Sequence, residues 1–402
     1  MTKKINFIIL GINVYANYDK VDVAGSMRVK NIFDPLLQNK DVSASNLILL
    51  DLLGMHHNGF KESTTSDVDC LSIGYRSIIN PFSVIGYLKR GIDFIKKHNI
   101  ENANNIIYNY QYPDIRNFLL LLYAKFKGFK IVFDIVEDKN HYEVKTWNDR
   151  VNKKLSLFFL RLIPRYADAV FVISSHLEKQ ITKIAKNRIP VFLLPISVDF
   201  KNIDKPYLKV NENNTIKIFY GGSFDPKDGL EFLWEAIEII RKNNYNFKLI
   251  LSGRADFDDM NSIFSKIKNS HLVDYKGFLS TEEYFKLLNS VDICCMTRNN
   301  SAFANAGFPF KLGEFLAAGK LIIASRIGDV EKYLVHKESA YLITPESTAE
   351  IVEGLTYYME NLATLSKKMG AQARLVAEKN FDASVSSKFM LEKCISIFTN
   401  KD

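Results

Sequence analysis

The chain has 402 residues, 47% of them hydrophobic and 24% charged, a size and balance that suit two α/β domains of about 200 residues each and exclude a disordered chain. Four scattered cysteines (Cys70, Cys294, Cys295 and Cys394) exclude a disulfide framework, and the absence of any run of about 18 uncharged apolar residues predicts no membrane-spanning helix. The net charge of +8 is carried entirely by residues 1–200, while residues 201–402 balance, so the first half is the one expected to attract an anionic partner such as a membrane surface.

In chain order, Ile5–Leu10 follows a short basic start and reads as a buried first strand rather than a signal peptide, because the apolar run is short and Gly11-Ile12-Asn13 offers no small-residue cleavage site. Further strands are expected at Leu47–Leu50, Ile106–Tyr110, Lys130–Ile135, Ala169–Ile173 and Val191–Pro195, with helices at Val84–Lys97, Ile115–Phe126 and Asn152–Tyr166 between them. Pro206 and the polar run Asn211–Asn214 place a domain boundary within Ser197–Asn214. Beyond it the alternation is cleaner. Ile216–Tyr220 stops at Gly221-Gly222-Ser223, and Leu230, Leu233, Ile237 and Ile240 then recur at helical spacing. Strands follow at Phe247–Leu251, Val273–Phe278, Val291–Met296, Leu321–Ser325 and Ala340–Ile343. Helices are expected at Thr281–Leu288, capped by Ser280, and at Lys311–Ala318, stopped by Gly319. Strands alternating with helices imply parallel sheets covered on both faces. Two such domains would face one another across a cleft, with chemistry in the loops after the strands.

The most informative segment runs from Gly307 through Pro309, Lys311 and Glu314 to Gly319 and Ser325. A Gly/Pro loop leads into a helix start, whose free N–H groups suit a phosphate. Lys311 adds a full charge there, and Glu314, three residues on, projects on nearly the same face. That carboxylate makes sense as an acceptor for paired ribose hydroxyls. The competing reading is an ordinary helix start with a capping-type glutamate, and spacing alone leaves both open.

This segment resembles the donor-site signature of the retaining group 1 glycosyltransferases, family four, of the GT-B fold. The resemblance extends through Ile327–Leu334 and Ala340–Pro345. In the first half it takes in Tyr166–Ser175 and Leu194–Asp199. It is dense over about 160–375 and weak over 1–130. It implies two Rossmann-like parallel-sheet domains: an acceptor-side domain at residues 1–200, a nucleotide-sugar donor domain at 201–380, and a C-terminal helix at 381–402 that packs back on the first domain. The implied reaction is transfer of a sugar, hexosyl in type, from a nucleotide-diphosphate-sugar to a saccharide or lipid-linked oligosaccharide acceptor, with retention, in surface polysaccharide or glycan biosynthesis. The family needs no metal, so no metal and no cofactor beyond the nucleotide-sugar co-substrate is expected.

Carried over residue by residue, the resemblance assigns Glu314 to the ribose and Lys311 and Arg254 to the diphosphate. It assigns Gly222, Ser223, Lys227, Gly253, Asn305, Gly307, Phe308, Phe310 and Leu312 to the donor pocket. Two departures stand out. Where the family often has a glutamate eight residues before the ribose glutamate, this chain has Ala306, so sugar contacts would fall to backbone N–H groups of Asn305–Phe308. Where it often has Gly-Arg and a lysine five residues on, this chain has Ser223 and Asp228, with Lys227 one residue out of place. On the acceptor side, Gly25 and Arg28 stand where the family has a glycine-rich loop, here with a single glycine. Asp134, Glu137 and His141 cluster after a strand, where a general base or a hydroxyl-holding group belongs. His141 is also assigned to the catalytic set. The irregular spacing of that cluster argues against a metal. His56 and His57 read as surface loop. Phe118–Tyr123 with Lys125, Lys127 and Lys130, and Leu155–Arg165 with Arg161 and Arg165, set apolar faces beside basic flanks, suited to peripheral contact with an anionic inner membrane face on the cytoplasmic side. Nucleic acid is not an expected partner, since no aromatic-basic module occurs. Two other functions fit the same scaffold: a sugar-nucleotide epimerase, or a non-catalytic partner of an active transferase.

Overall fold

The computed structural model describes residues 3–12, 14–15, 23–51, 60–65, 68–75, 81–112, 115–141, 144, 147–203, 215–253, 267 and 270–399. It divides into two compact units, Met1–Pro195 with Ser384–Asp402 and Ile196–Ala383. The chain therefore leaves the first unit after Pro195 and returns to it at Ser384.

Unit 1 is built on one sheet in the order β3-β4-β2-β1-β5-β6-β7-β8. Its strands are β1 (Ile5–Leu10), β2 (Val42–Asp51), β3 (Phe60–Thr65), β4 (Val68–Tyr75), β5 (Asn104–Tyr110), β6 (Lys130–Ile135), β7 (Ala169–Val172) and β8 (Val191–Leu193). All pairings are parallel except the β3–β4 hairpin at one edge. Every residue of β1 and β7 is buried, as expected of central strands covered on both faces. The crossovers include α1 (Val23–Leu37), α2 (Pro81–Lys97), α3 (Ile115–Phe126), α4 (Trp147–Tyr166) and α5 (Ser175–Ala185). Ser174 caps α5, its side chain accepting from Leu177 N.

Unit 2 carries a parallel sheet in the order β11-β10-β9-β12-β13-β14. The strands are β9 (Ile216–Gly222), β10 (Phe247–Gly253), β11 (Val273–Tyr275), β12 (Ile293–Met296), β13 (Leu321–Ser325) and β14 (Tyr341–Ile343). Its described helices are α6 (Leu230–Ile240), α7 (Thr281–Ser290), α8 (Ala302–Ala306), α9 (Phe310–Ala317), α10 (Val330–Tyr333), α11 (Thr348–Glu360) and α12 (Leu362–Asn380). Ser280 and Glu283 close a reciprocal capping box at the start of α7. Leu230, Leu233, Ile237 and Ile240 of α6 are fully buried on the sheet with Ile218, Leu249, Leu251 and Ile323, so the helical spacing in the sequence marks the core face. A last helix, α13 (Ala383–Thr399), places Met390 and Cys394 in the core of unit 1, and Ser387 Oγ donates to Ile32 O at 2.6 Å.

Both units are doubly wound. In each, strands are added outward from one central strand in two directions, leaving a point where the winding reverses. That point lies between β1 and β5 in unit 1 and between β9 and β12 in unit 2. Parallel sheets of this kind receive ligands outside the carboxyl ends of the strands flanking such a point. Among the described residues no helix is long and apolar enough to cross a membrane.

Candidate active site

In unit 2 the reversal point is shaped by glycines that no other residue could replace without movement. β9 ends in Gly221-Gly222. A Cβ on Gly221 would meet the Phe219 ring at 2.9 Å and lie 3.5 Å from Lys311 Cδ. A Cβ on Gly253, at the end of β10, would sit 1.7 Å from Gly222 O, and its φ is +148°. Phe224 follows two residues after Gly222 with φ of 56°, a left-handed conformation rare for a bulky side chain. Its ring is fully buried and stacked on Tyr220 at 5.7 Å, and that packing holds the turn. Asp228, buried beneath the loop, accepts from Ser223 Oγ at 3.2 Å and lies 3.5 Å from Arg298 Nε. Asn299 N donates to Lys227 O at 2.9 Å. The loops leaving β9 and β12 are thus stitched together, and Arg298 stands at their junction, its side chain 20% exposed.

The helix α9 brings Lys311 and Glu314 to the same place. Its N-cap is Pro309, which supplies no capping side-chain bond; Leu312 N donates to Pro309 O at 3.1 Å, so the N–H groups of Phe310 and Lys311 are the first-turn donors left for another acceptor. Lys311 Nζ lies 4.3 Å from the centroid of the Tyr284 ring, and the Tyr284 hydroxyl donates to Glu314 Oε2 at 2.6 Å. Glu314 is 6% exposed. Burial raises its pKa, with the Lys311 charge and the Tyr284 hydrogen bond pulling back only in part. Burial and the neighbouring Glu314 charge likewise push the Tyr284 phenol well up. Glu314 is therefore no exposed cap. It is a buried acceptor, oriented by a phenol and backed by an ammonium. The preceding loop is fixed by Asn305, whose Oδ1 accepts from Gly328 N at 3.1 Å and whose Nδ2 donates to Asn300 Oδ1 and Ser301 O. Gly307 follows in extended backbone. Phe310, half-buried, opens α9. Phe308 packs on Tyr333 and Phe381, and Leu312 is fully buried. Their side chains belong to the core, so Phe308 has only backbone to offer a ligand, and Leu312 N is already bonded to Pro309 O. Lys227 Nζ lies 4.5 Å from the Phe303 ring centroid.

Unit 1 corrects part of the acceptor-side expectation. Arg28 is 1% exposed and Asp134 fully buried. Arg28 Nε and Nη2 donate to the two Asp134 oxygens at 2.8 Å each, Nη1 donates to Pro195 O at 2.8 Å, and Nη2 also donates to Leu194 O at 2.9 Å. Tyr108 Oη donates to Asp134 Oδ2 at 2.6 Å. Burial would depress the Arg28 pKa, but the Asp134 charge and hydrogen bond outweigh it and hold it above its usual value. Both side chains are thus consumed in a core ion pair joining α1, β5, β6 and the strand end at β8, and neither faces an acceptor. Gly25 is buried within α1. Glu137 is exposed, and its carbonyl accepts from Tyr112 Oη at 2.9 Å. His141 is exposed too and lies 3.6 Å from Asp138 Oδ2, which also contacts His176 Nε2 at 3.0 Å. Burial raises the Asp138 carboxyl, but hydrogen bonds from His176, the Asn140 backbone and Gln180 overcome it and hold the carboxyl below its usual range.

Residues 201–376 match the family model of the group 1 glycosyl transferases. That similarity lies within unit 2. The chain is 23% identical over 217 residues to an uncharacterized 41.2 kDa protein of the cps region of Klebsiella pneumoniae, covering 52% of this chain and 56% of that one. It is 24% identical over 188 residues to the uncharacterized glycosyltransferase YqgM of Bacillus subtilis, covering 45% and 48%. The chain thus spans about half the length of the curated relatives it matches. Among solved structures, Anabaena HepE in complex with UDP superposes with a TM-score of 0.70 at 14% identity, covering 98% of this chain and 100% of that one. Both units have the Rossmann-like topology of the GT-B fold to which these structures belong.

Within unit 2 the structure brings Gly222, Ser223, Lys227, Gly253, Lys311 and Glu314 to one end of one sheet. Arg254 lies outside the described residues, as do His56 and His57. Three side chains were missed by sequence reasoning. Arg298 is a cation immediately beyond β12, a position that a search of strand carboxyl ends would have flagged. Tyr284 sits on the exposed-looking face of a helix 30 residues before its partner Glu314, and nothing local announces it. His176 follows β7 and meets Asp138 only because β6 and β7 are sheet neighbours.

Proposed function

We propose that the protein transfers a sugar from a nucleoside-diphosphate-sugar, UDP-linked in the first instance, to a hydroxyl of a saccharide acceptor. The observation that carries this reading is the Lys311–Tyr284–Glu314 group packed against the Gly221 turn at the reversal point of the unit 2 sheet. Lys311, Arg298 and the N–H groups opening α9 supply positive charge for a diphosphate, and Glu314 supplies the buried acceptor that a ribose diol requires. As the sugar–phosphate bond breaks, negative charge grows on the departing diphosphate, and the same cations stabilise it. Arg254 is proposed to add to that charge. Gly222 and Gly253 allow backbone to approach the donor, with Ser223, Lys227 and the 305–308 backbone lining the pocket. Phe310 belongs to that lining.

Retention of anomeric configuration is proposed on the similarity of residues 201–376 to the group 1 glycosyl transferases, and a place in surface polysaccharide assembly is supported by the cps-region relative. No metal is assigned to the donor site. On unit 1, Gly25, Glu137 and His141 stay assigned to the acceptor side, with His141 as a positioning group. A lipid-linked acceptor is favoured by the exposed apolar row Leu119, Leu122 and Phe126 of α3 and by Phe158 of α4. Exposed Arg161 and Arg165 flank it, a pattern suited to peripheral contact with an anionic membrane. The test is thermal-shift and transfer assays with UDP-, GDP-, ADP- and CMP-sugars on the wild type and Lys311→Met. UDP and its sugars are expected to raise Tm, and the substitution to weaken them roughly 10–100-fold. If no nucleoside diphosphate shifts Tm, the reading fails.

A further inference from the structure

The loops leaving β6 and β7 in unit 1 carry Asp138, His141 and His176, and the parallel pairing of those strands brings all three to one sheet end. Their ligand atoms lie within 4.8 Å of one another. The Asp138 side chain is 1% exposed, those of His141 and His176 40% and 44%, so a buried carboxylate faces two imidazoles that solvent can reach. Asn140 holds Asp138 Oδ1 through its backbone N–H at 2.9 Å and its side-chain amide at 2.8 Å. That fixes the carboxylate plane and points Oδ2 at the two rings, 3.0 Å from His176 Nε2 and 3.6 Å from His141 Nε2.

We propose that Asp138, His141 and His176 form a binding site for a divalent transition-metal ion, with zinc the best fit. Zinc binds imidazole nitrogen and carboxylate oxygen at about 2.0–2.1 Å, which for tetrahedral geometry puts neighbouring ligand atoms roughly 3.3 Å apart. The two measured separations bracket that spacing. Two imidazoles and one carboxylate select a borderline transition ion over magnesium or calcium, which take oxygen ligands. Asn140 supplies the outer hydrogen bonds that orient a ligating carboxylate.

A second feature points the same way. Gln180 Nε2 is 3.2 Å from both Asp138 oxygens, and Gln180 Oε1 is buried with no hydrogen-bond partner. Half a turn of the amide would exchange the two atoms. Without a cation that would set oxygen against a carboxylate, whereas with one it would supply a further ligand. The nearby lysines are committed elsewhere: Lys139 Nζ donates to Ser156 Oγ and Lys153 Nζ to Asn140 O. Asp138, His141 and His176 supply three ligands, and the fourth position falls to Gln180 Oε1 after that turn of its amide or to solvent water. The ion would fasten the β6 loop to the first turn of α5. The proposal departs from the sequence expectation that the cluster holds no metal, which did not count His176, 35 residues beyond His141.

The inference does not depend on the transferase reading, because its readout is metal binding by the full chain. Chelator-stripped protein is titrated with zinc against a chromophoric competitor, with magnesium and calcium in parallel. One zinc per chain is expected, with a rise in Tm on binding and no response to the other two ions. His141→Gln and His176→Gln should each weaken zinc roughly tenfold or more, and the double variant should abolish the site. Both histidines are surface residues, so the metal-free variants should keep the wild-type circular dichroism. Absence of stoichiometric zinc in the wild type overturns the proposal, as does zinc retained at full affinity by the double variant. A loss of metal-free stability in the variants without zinc binding by the wild type would identify a hydrogen-bonded His–Asp–His cluster instead, and would equally overturn it.

Discussion

Arg28→Met tests whether the Arg28–Asp134 pair belongs to the core or to a binding surface. The substitution keeps much of the side-chain length and removes the charge. It strands a fully buried Asp134 carboxylate with Tyr108 as its remaining hydrogen-bond donor among those described, and it takes the Arg28 partner from Leu194 O and Pro195 O. Removing one member of a buried ion pair costs about 3–5 kcal/mol. For a domain of about 200 residues, each kcal/mol shifts Tm by about 2–4 °C, so the expected fall is roughly 6–20 °C. Arg28→Lys should fall between, because an ammonium cannot reproduce the two-pronged contact. Arg28→Met with Asp134→Leu should recover part of the loss, since the pair can be exchanged for apolar bulk, while the two carbonyls and the Tyr108 hydroxyl keep it below wild type. The assay is thermal and urea denaturation followed by circular dichroism, alongside donor and acceptor kinetics. A variant with wild-type Tm and a lost acceptor response would refute the core assignment and return Arg28 to a substrate-facing role.

Other substitutions probe the proposed donor site. Burial raises the Glu314 pKa. A folded-state carboxyl raised above its unfolded value favours the fold below the unfolded pKa and loses that contribution as pH rises through the folded one. Glu314→Gln should therefore raise Tm at neutral pH, close the gap at acid pH, and weaken UDP binding by calorimetry; a lower neutral Tm or unchanged affinity would contradict it. Tyr284→Phe removes the 2.6 Å hydrogen bond to Glu314 and should raise the donor KM several-fold more than it lowers kcat, with acceptor KM unchanged; equal changes in all three would mark a general packing loss. Gly253→Ala forces a Cβ to within 1.7 Å of Gly222 O, so it should lower Tm and donor affinity together, and a neutral result would mean the two strand ends can part freely.

The sequence made the central strands legible because both of their faces are apolar. It read Ile5–Leu10, Ile106–Tyr110 and Lys130–Ile135 with the bounds of β1, most of β5 and β6. The β3–β4 hairpin escaped it. Phe60-Lys-Glu-Ser-Thr-Thr pairs antiparallel at a sheet edge, where polar residues are tolerated and apolar continuity is lost. The Lys311–Glu314 pair was legible because one helical turn carries both, so local spacing and tertiary geometry coincide. Arg28 and Asp134 were misplaced for the opposite reason. They are 106 residues apart, and a charged residue beside a strand end looks the same in one dimension whether it faces a ligand or another charge.

That difference explains where function could be read from the chain. A parallel sheet gathers loops from distant segments at its carboxyl edge, so its chemistry is assembled by strand order and not by sequence proximity. Strand order places β9 beside β12 and β6 beside β7. The first adjacency joins Arg298 to Asp228 and the Gly222 turn, and the second joins His176 to Asp138. Arg298 has only its place beyond a strand end as a local signal and His176 has none, because the constraint on each is imposed by a strand pairing that the residue itself does not help to form. The charge pattern narrows the choice between a binding cation and a structural one. Arg28 has every strong acceptor around it inside the core and four hydrogen bonds to spend on them. Arg298 has a single carboxylate at 3.5 Å and a partly exposed side chain. A guanidinium so loosely paired at the reversal point of a sheet retains donors for an incoming anion, and so Arg298, which sequence reasoning passed over, is better placed to meet one than Arg28, which it assigned to the acceptor side.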